Sequence, residues 1–268
     1  MSDRLPSATA TIALPGRVVV VTGGGRGIGR AISEAFLRAG ATVAICGRNA
    51  PDELPEGGGR KAGFHACDVR KADQAKEFID RLAAEHGRID VLVNNAGGSP
   101  AADAATASAR FSEAIIALNL LAPIHLSQAA HRWMAAQEEG GAIVNIASIA
   151  SVRPSPGTAV YGAAKAGLLS LTRSLAQEWG PKIRVNCVIA GMIATEKADL
   201  YYGSGEARQA IEQSLPMKRL GTGEDIAAAA LFLASPLASF VTGASLEAHG
   251  GDEPPLFLDI LARHAPKS

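Results

Sequence analysis

Short apolar runs alternate along the chain with longer stretches of helical periodicity. The run Val18–Val21 is apolar at every position. Similar strand-like runs are Thr42–Cys46, Gly63–Cys67, Ile89–Asn94, Ala142–Ala147, Ile183–Ile189 and Ser245–Ala248. Continuous apolar strands are typical of parallel sheets that are buried on both faces, and intervening helices make right-handed crossovers. We therefore predict an α/β fold, a single-domain, doubly wound parallel sheet of about seven strands with helices on both faces.

The longest helical patterns cover Ile28–Ala39, Phe111–Glu138 and Thr158–Trp179. No repeat or second domain boundary is visible. We expect a flexible tail over residues 1–15, one catalytic domain over 16–251 and a C-terminal tail over 252–268 that packs either on the body or on a neighbouring subunit.

Composition excludes several classes of function. Lysine plus arginine and aspartate plus glutamate each number 26, so the net charge is zero and nucleic-acid binding is not expected. No apolar stretch reaches a membrane span, and no secretory signal is apparent. The six histidines lack metal-ligand spacing, so we expect no metal. The dispersed cysteines, Cys46, Cys67 and Cys187, favour buried thiols in a cytoplasmic protein.

A glycine-rich turn, Thr22–Gly29, follows the first strand and opens the first helix. Glycines let the backbone approach a pyrophosphate closely, and the helix N-terminus offers it free N–H groups. The spacing of Gly23, Gly27 and Gly29 is wider than in the common dinucleotide fingerprint. In its strand–turn–helix context the turn nevertheless predicts a Rossmann-type dinucleotide site.

The end of the second strand indicates which dinucleotide binds. An acid there would hold the ribose 2′-hydroxyl of NAD, whereas arginine would accept the 2′-phosphate of NADP. Here Gly47 is followed by Arg48, and Arg26 adds a second charge from the glycine turn. We expect NADP(H) to be preferred, with NAD(H) possible. Asp68, at the end of the third strand, is expected to accept a hydrogen bond from adenine.

The connection Asn49–Gly59 contains two prolines and three consecutive glycines, so it cannot carry a long crossover helix. We predict a loop, or one helical turn at most. Two interpretations stay open: a deletion without functional meaning, or a loop that covers the adenosine end of the cofactor.

Three residues suggest proton transfer. Tyr161 and Lys165 are four apart in a helical pattern, so they share a face, and a nearby positive charge would lower the tyrosine pKa. Ser148 ends the fifth strand, at the edge where doubly wound sheets bind ligands. No Gly-x-Ser-x-Gly elbow surrounds Ser148, which argues against a serine hydrolase.

Together these motifs resemble the short-chain dehydrogenase/reductase family, and 3-oxoacyl-(acyl-carrier-protein) reductase-like members in particular. The resemblance covers about Arg17–Gly251. Its matching pieces are Thr22–Gly29, Cys67-Asp68-Val69, Asn94-Asn95-Ala96-Gly97, Asn119, Ser148, Tyr161-x-x-x-Lys165 and Thr195.

The resemblance implies a role for each residue. Tyr161 would be the acid/base, Lys165 would lower its pKa and bind the nicotinamide ribose, and Ser148 would orient the substrate oxygen. Asn119 would hold a proton-relaying water. The expected cofactor-binding residues are Gly23, Gly25, Arg26, Gly27, Ile28, Gly29, Arg48, Asp68, Val69, Asn95, Ala96, Gly97, Tyr161, Lys165, Gly191, Ile193 and Thr195.

The sequence departs from the family where Ala190-Gly191 replaces the common Pro-Gly, which we expect to loosen cofactor binding slightly. Specificity is expected in Gly98–Ala105, Ile149–Thr158 and Glu196–Leu215. The last is predicted as either a mobile lid or a packed helical hairpin. Arg153 would either meet an anionic substrate or be solvated.

The sequence thus predicts an NADP(H)-dependent oxidoreductase that interconverts a small-molecule carbonyl compound and a secondary alcohol. Two alternatives stay open: an NAD-dependent hydroxysteroid-type or sugar-alcohol dehydrogenase, and a non-catalytic dinucleotide-binding redox sensor. The resemblance also implies a homo-tetramer or dimer, with the two long helices Phe111–Glu138 and Thr158–Trp179 as interface candidates.

Overall fold

The computed structural model describes residues 12–196 and 198–264. The predicted N-terminal tail lies outside these residues except for positions 12–15. The three cysteines are free and buried, as predicted.

A single seven-stranded parallel sheet forms the centre of the domain, which confirms the predicted class. The strands are β1 Val18–Thr22, β2 Thr42–Gly47, β5 Gly63–Ala66, β6 Val91–Asn94, β7 Gly141–Ser148, β8 Ile183–Ala190 and β9 Ser245–Ala248. Their order is β5-β2-β1-β6-β7-β8-β9. From β1 the strands are added first toward one edge of the sheet (β2, β5) and then, starting with β6, toward the other. Ligands are therefore expected at this switch point, beyond the carboxyl ends of β1 and β6.

Helices cover both faces, which explains the apolar strands. They are α1 Gly27–Arg38, α2 Ala72–His86, α3 Ala109–Ile116, α4 Ala122–Ala136, α5 Ala159–Trp179, α6 Ala198–Tyr202, α7 Gly205–Ser214, α8 Gly223–Ala234 and α9 Leu256–His264. On one face α1 and α8 bury Phe36 and Leu233 against the sheet. On the other, α2 and α4 contribute Phe78 and Met134.

The connection between β2 and β5 contains a small hairpin that the sequence did not predict. Strand β3 Glu56–Gly57 pairs antiparallel with β4 Arg60–Lys61. The hairpin packs on α1 so closely that a Cβ at Gly57 would lie 2.6 Å from the Glu34 carbonyl oxygen. The three glycines therefore make a tight turn against α1, where a loop or a helical turn was expected.

The predicted helix Phe111–Glu138 is interrupted by a π-helical turn, Ala117–Leu121, between α3 and α4. Among the described residues, the stretch Ala109–Ala136 has the length and mean hydropathy of a membrane span. Its second half packs Leu126 and Met134 into the core under the sheet. This burial is that of a core helix.

The C-terminal segment leaves β9 and ends in α9. Large apolar side chains of α9 remain exposed on the described chain, with Leu256 at 72% and Leu261 at 62%. The described part of the chain therefore leaves these α9 side chains uncovered.

Candidate active site

The glycine turn has a geometry that only glycine allows at two positions. Gly23 and Gly27 have φ values of +64° and +50°. A Cβ at Gly29 would lie 2.3 Å from the Gly23 carbonyl oxygen. The turn therefore packs against the start of α1, and side chains larger than hydrogen are excluded where an anion would approach.

The ends of β1 and β6 are tied together beside this turn. The Thr22 hydroxyl accepts hydrogen bonds from the backbone N–H groups of Asn95 (3.0 Å) and Ala96 (2.9 Å). The Asn95 side chain donates to the Thr22 carbonyl oxygen at 2.9 Å. The predicted cofactor residues of the two strands thus form one rigid cleft wall.

A carboxylate occupies the N-terminus of α1. Oε1 of Glu196 accepts a hydrogen bond from the Gly27 backbone N–H at 3.1 Å. Hydrogen bonds from its own backbone N–H and from Gly27, with the charges of Arg26 and Arg30, hold the pKa of Glu196 below its usual range. The helix terminus therefore already binds an anionic group at the position where a pyrophosphate is expected.

The expected adenosine end combines exposed arginines with a paired acid. Arg48 is exposed, whereas Asp68 forms a two-pronged ion pair with Arg70, Nε to Oδ1 at 2.8 Å and Nη2 to Oδ2 at 2.6 Å. This pairing lowers the pKa of Asp68, and Arg48 adds to the effect. Val69, beside them, is buried.

The loop after β2 lies against the glycine turn. A Cβ at Gly25 would be 3.1 Å from the Pro51 ring, and Nη1 of Arg30 donates to the Glu53 carbonyl oxygen at 2.9 Å. Of the two interpretations of this loop, its position favours the one in which it covers the adenosine end of the cofactor.

Ser148, Tyr161 and Lys165 come together at the carboxyl edge. Ser148 ends β7, while Tyr161 and Lys165 lie on one face of α5, with Nζ of Lys165 5.7 Å from the Tyr161 ring centroid. Nζ is buried and donates to the Ile146 carbonyl oxygen at 2.8 Å. The strand and the helix thus bring a hydroxyl, a phenol and an amine into one cluster.

The protonation of this cluster is controlled by burial. Burial raises the pKa of Tyr161, and a side-chain hydrogen bond with Ser148 opposes that change. Burial lowers the pKa of Lys165 to about 8. The net shift of the Tyr161 pKa is upward, opposite in direction to the lowering that the sequence suggested. Tyr161 is therefore a phenol at neutral pH.

Asn119 lies in the π-helical turn and is fully buried. Its Nδ2 donates to the carbonyl oxygens of Ile115 and Gly98, both at 3.0 Å, and its Oδ1 accepts from the Gly98 N–H at 2.9 Å. A Cβ at Gly97 would lie 2.8 Å from Asn119 Oδ1 and 3.1 Å from Lys165 Nζ. Asn119 therefore holds the Gly97–Gly98 backbone over Lys165.

On the remaining wall, Gly191 packs against the chain that leaves β9. A Cβ there would lie 2.5 Å from the Cβ of His249. Ile193 is buried and its backbone hydrogen-bonds to Tyr202 of α6, while the Thr195 side chain lies near Gly27. The segment after β8 thus links the expected nicotinamide side of the cleft to the glycine turn.

The sequence model of the family described as Enoyl-(Acyl carrier protein) reductase matches residues 23–252, nearly the whole sheet and its helices. The chain belongs to the short-chain dehydrogenase/reductase family. It is accordingly an oxidoreductase that acts on CH–OH groups with NAD(P).

Several relatives cover this short-chain dehydrogenase/reductase almost end to end. It is 39% identical to a 3-oxoacyl-[acyl-carrier-protein] reductase of Chlamydia muridarum (89% of this chain, 98% of the relative). It is 37% identical to a D-threitol dehydrogenase of Mycolicibacterium smegmatis (89% and 93%). A putative NAD(P)-dependent gluconate 5-dehydrogenase of Beutenbergia cavernae, solved with NADP at low occupancy, has a TM-score of 0.81 at 35% identity (90% and 98%).

Two residues of this cleft were not predicted as site residues. Glu196 was assigned only to a variable segment, although it lies on Gly27, which is 169 positions away. Arg70, which pairs with Asp68, follows it by two residues. Arg70 had a local signal, an acid and an arginine at the end of one strand. Glu196 had none.

Proposed function

We propose that the chain interconverts a carbonyl compound and a secondary alcohol by hydride transfer, with NADP(H) as the preferred cofactor and Tyr161 as the acid/base. The observation that carries this proposal is the cluster of Ser148, Tyr161 and Lys165 beside the glycine turn. The reaction needs a proton donor and a dinucleotide site within one cleft, and both features lie at the same sheet edge.

Proton transfer follows from the environment of Tyr161. Because burial raises its pKa, the phenol keeps its proton at neutral pH and donates it to the oxygen of a carbonyl substrate. The Ser148 hydroxyl, already hydrogen-bonded to the phenol, holds that oxygen in place. In alcohol oxidation the same two groups act in reverse, with the phenolate accepting the hydroxyl proton.

Lys165 and Asn119 support this chemistry. Nζ of Lys165 uses one donor on Ile146, which fixes the side chain and leaves its other N–H groups to hold ribose hydroxyls. Asn119 holds the Gly97–Gly98 backbone above Lys165. When bound, the nicotinamide supplies or accepts the hydride. Asn119 would also hold the relay water that the family resemblance implies.

The glycine turn fits a dinucleotide because its helix N-terminus already holds the Glu196 carboxylate as an anion stand-in. The residues that would hold the cofactor are Gly23, Gly25, Arg26, Gly27, Ile28, Gly29, Arg48, Asp68, Val69, Asn95, Ala96, Gly97, Tyr161, Lys165, Gly191, Ile193 and Thr195. Exposed Arg48 and Arg26 would bind a 2′-phosphate, which supports NADP(H) over NAD(H). Pro51 and its loop would cover the adenosine end.

Two measurements test the proposal. NADPH and NADH are titrated into the wild type and into Arg48→Asp, and a panel of ketones is then reduced with each cofactor. We expect NADPH to bind at least about tenfold more tightly than NADH in the wild type, and Arg48→Asp to remove that difference. Equal wild-type affinities would refute the NADP assignment and favour the NAD-dependent alternative. Binding without turnover of any ketone would favour the non-catalytic redox sensor.

We also propose a homo-oligomer, a dimer or a tetramer, in the cytoplasm. The α4 and α5 helices meet through His131 and Trp179, whose rings lie 4.6 Å apart, and Leu121 is 41% exposed at the start of this surface. Mass measurement in solution tests the assembly, and a monomer at micromolar concentration would refute it.

A further inference from the structure

An ion-pair group joins the loop after Ser148 to the C-terminal segment. Nη1 of Arg153 contacts Oδ1 of Asp252 at 2.9 Å and also a carboxylate oxygen of Glu253. The residues are about a hundred positions apart in sequence. Arg153 is therefore part-exposed and paired with two carboxylates, an arrangement that neither of the two sequence-based interpretations included.

The backbone is bent to make this contact. Gly250, Gly251 and Asp252 have consecutive φ values of +71°, +93° and +60°. The left-handed region is unfavourable for a residue with a side chain, although aspartate tolerates it better than most. The Gly250 carbonyl oxygen accepts from the Met217 N–H at 3.3 Å. The sharp turn thus sends the chain from β9 back toward Arg153.

Both ends of the ion-pair group follow the carboxyl ends of strands, Arg153 after β7 and the two acids after β9. The Arg153 N–H donates to the carbonyl oxygen of Ile149, the residue after Ser148, at 3.2 Å. The Asp252 N–H donates to the carbonyl oxygen of His249 at 3.4 Å, and His249 packs on Gly191. The Arg153 charge lowers the pKa of Tyr202 slightly, against the larger effect of burial, which raises it. The group therefore borders the substrate side of the cleft.

The charges in this group do not balance. Two carboxylates and one guanidinium leave one net negative charge. Both carboxylates contact the same nitrogen, Nη1, so this pairing leaves the Nε–H and Nη2–H donors of Arg153 for another partner. A neutral oxygen can accept those hydrogen bonds, whereas a carboxylate would also meet the surplus negative charge.

We propose that Arg153, Asp252 and Glu253 form a charge filter that admits substrates with uncharged oxygen substituents and disfavours substrates that carry a carboxylate. This inference rests on the proposed carbonyl–alcohol chemistry. It assigns the specificity to the C-terminal segment and the loop after Ser148 acting together.

The test uses a matched pair of substrates, 4-oxopentanoate and its methyl ester. Each is measured with NADPH for kcat/KM, and for Kd on the cofactor-loaded protein by quenching of NADPH fluorescence. The variants are the double substitution Asp252→Asn/Glu253→Gln, the single Arg153→Gln, and Asp73→Asn/Glu77→Gln. The last removes the same two charges from the exposed surface of α2 and serves as the control.

The wild type should favour the ester by about tenfold or more, and the double variant should shift the ester-to-acid ratio by about tenfold toward the acid. Arg153→Gln should weaken ester binding, while the control leaves the ratio unchanged. A wild-type preference for the acid, or an unchanged ratio in the double variant, would overturn the filter. If neither compound is reduced, the Kd ratio still decides the filter, whereas the ketone panel separately decides the oxidoreductase proposal.

Discussion

The two edges of the sheet use carboxylates in opposite ways. At the amino edge Asp90 is buried and accepts hydrogen bonds from the Val18 N–H and from the side chains of Arg17 and Arg88. At the carboxyl edge Glu196 is exposed and holds a single helix N–H, that of Gly27. One carboxylate is enclosed by fixed partners, while the other occupies a site suited to a different anion.

This difference separates stability from function. The amino-edge network ties β1, β6 and the Glu139 region together with charge-assisted hydrogen bonds, and removing its centre leaves buried donors unpaired. At the carboxyl edge, the Glu196 carboxylate on the Gly27 N–H can be replaced by another anion. Substitutions at the first edge should change folding, and those at the second should change binding or rate.

The largest effect is expected at the carboxyl edge, from Tyr161→Phe. The loss of the phenol proton should lower kcat for carbonyl reduction by about 10²- to 10⁴-fold, while NADPH affinity stays nearly unchanged. Steady-state kinetics and cofactor titration measure both. Tyr201→Phe, at an exposed tyrosine of the same segment as Tyr202, is the matched control and should retain activity. Retained activity in Tyr161→Phe would show that another group transfers the proton.

At the amino edge, Asp90→Ala should lower the free energy of unfolding by about 2–3 kcal/mol, because two arginines and a backbone N–H lose a buried acceptor. Denaturant titration measures the loss, and kcat per folded molecule should stay unchanged. Glu139→Ala removes an exposed member of the same network and should have a much smaller effect. Similar losses in both variants would contradict the central place of Asp90.

The pH dependence should follow Lys165. Burial lowers its pKa to about 8, so the ammonium is present below that pH and is lost as the pH rises through it. If that charge holds the ribose, kcat/KM for reduction should fall by about tenfold per pH unit above the inflection. A pH–rate profile with NADPH measures this fall, and a flat profile through pH 8 would exclude a role for the charged amine.

The smallest effect is expected from Glu196→Gln. Removing the negative charge from the α1 N-terminus should tighten NADPH binding about two- to fivefold, because the pyrophosphate no longer displaces a competing anion. Fluorescence titration measures the change. Glu206→Gln removes an exposed acid of α7 and is the control. Weaker binding in Glu196→Gln would mean that the carboxylate assists the cofactor.

Local patterns predicted most of the fold and the centre of the site. The apolar run of β1 indicated a buried strand, and the four-residue spacing of Tyr161 and Lys165 put both on one helix face. Each of these conclusions depends on a periodicity or a strand end, which are properties of neighbouring residues. The confirmed fold class, a parallel sheet of seven strands, follows from the same alternation of strands and helices.

The parts that escaped prediction depend on the tertiary environment, including contacts between residues far apart in the sequence. Nothing near Arg153 indicates that Asp252 and Glu253 bind it, and the positive φ of Asp252 has no sequence signature comparable to glycine. Asn119 is fully buried in a π-helical turn, and burial raises the pKa of Tyr161. Helical periodicity and residue spacing do not report such effects.

The most direct test of the central claim is the transfer of deuterium from C4 of labelled NADPH to a carbonyl compound. The label should appear on the carbinol carbon of the product with the wild type and should be lost in Tyr161→Phe, although that variant still binds the cofactor. A protein that binds NADPH but transfers label to no ketone or aldehyde of a broad panel would contradict the proposed reaction.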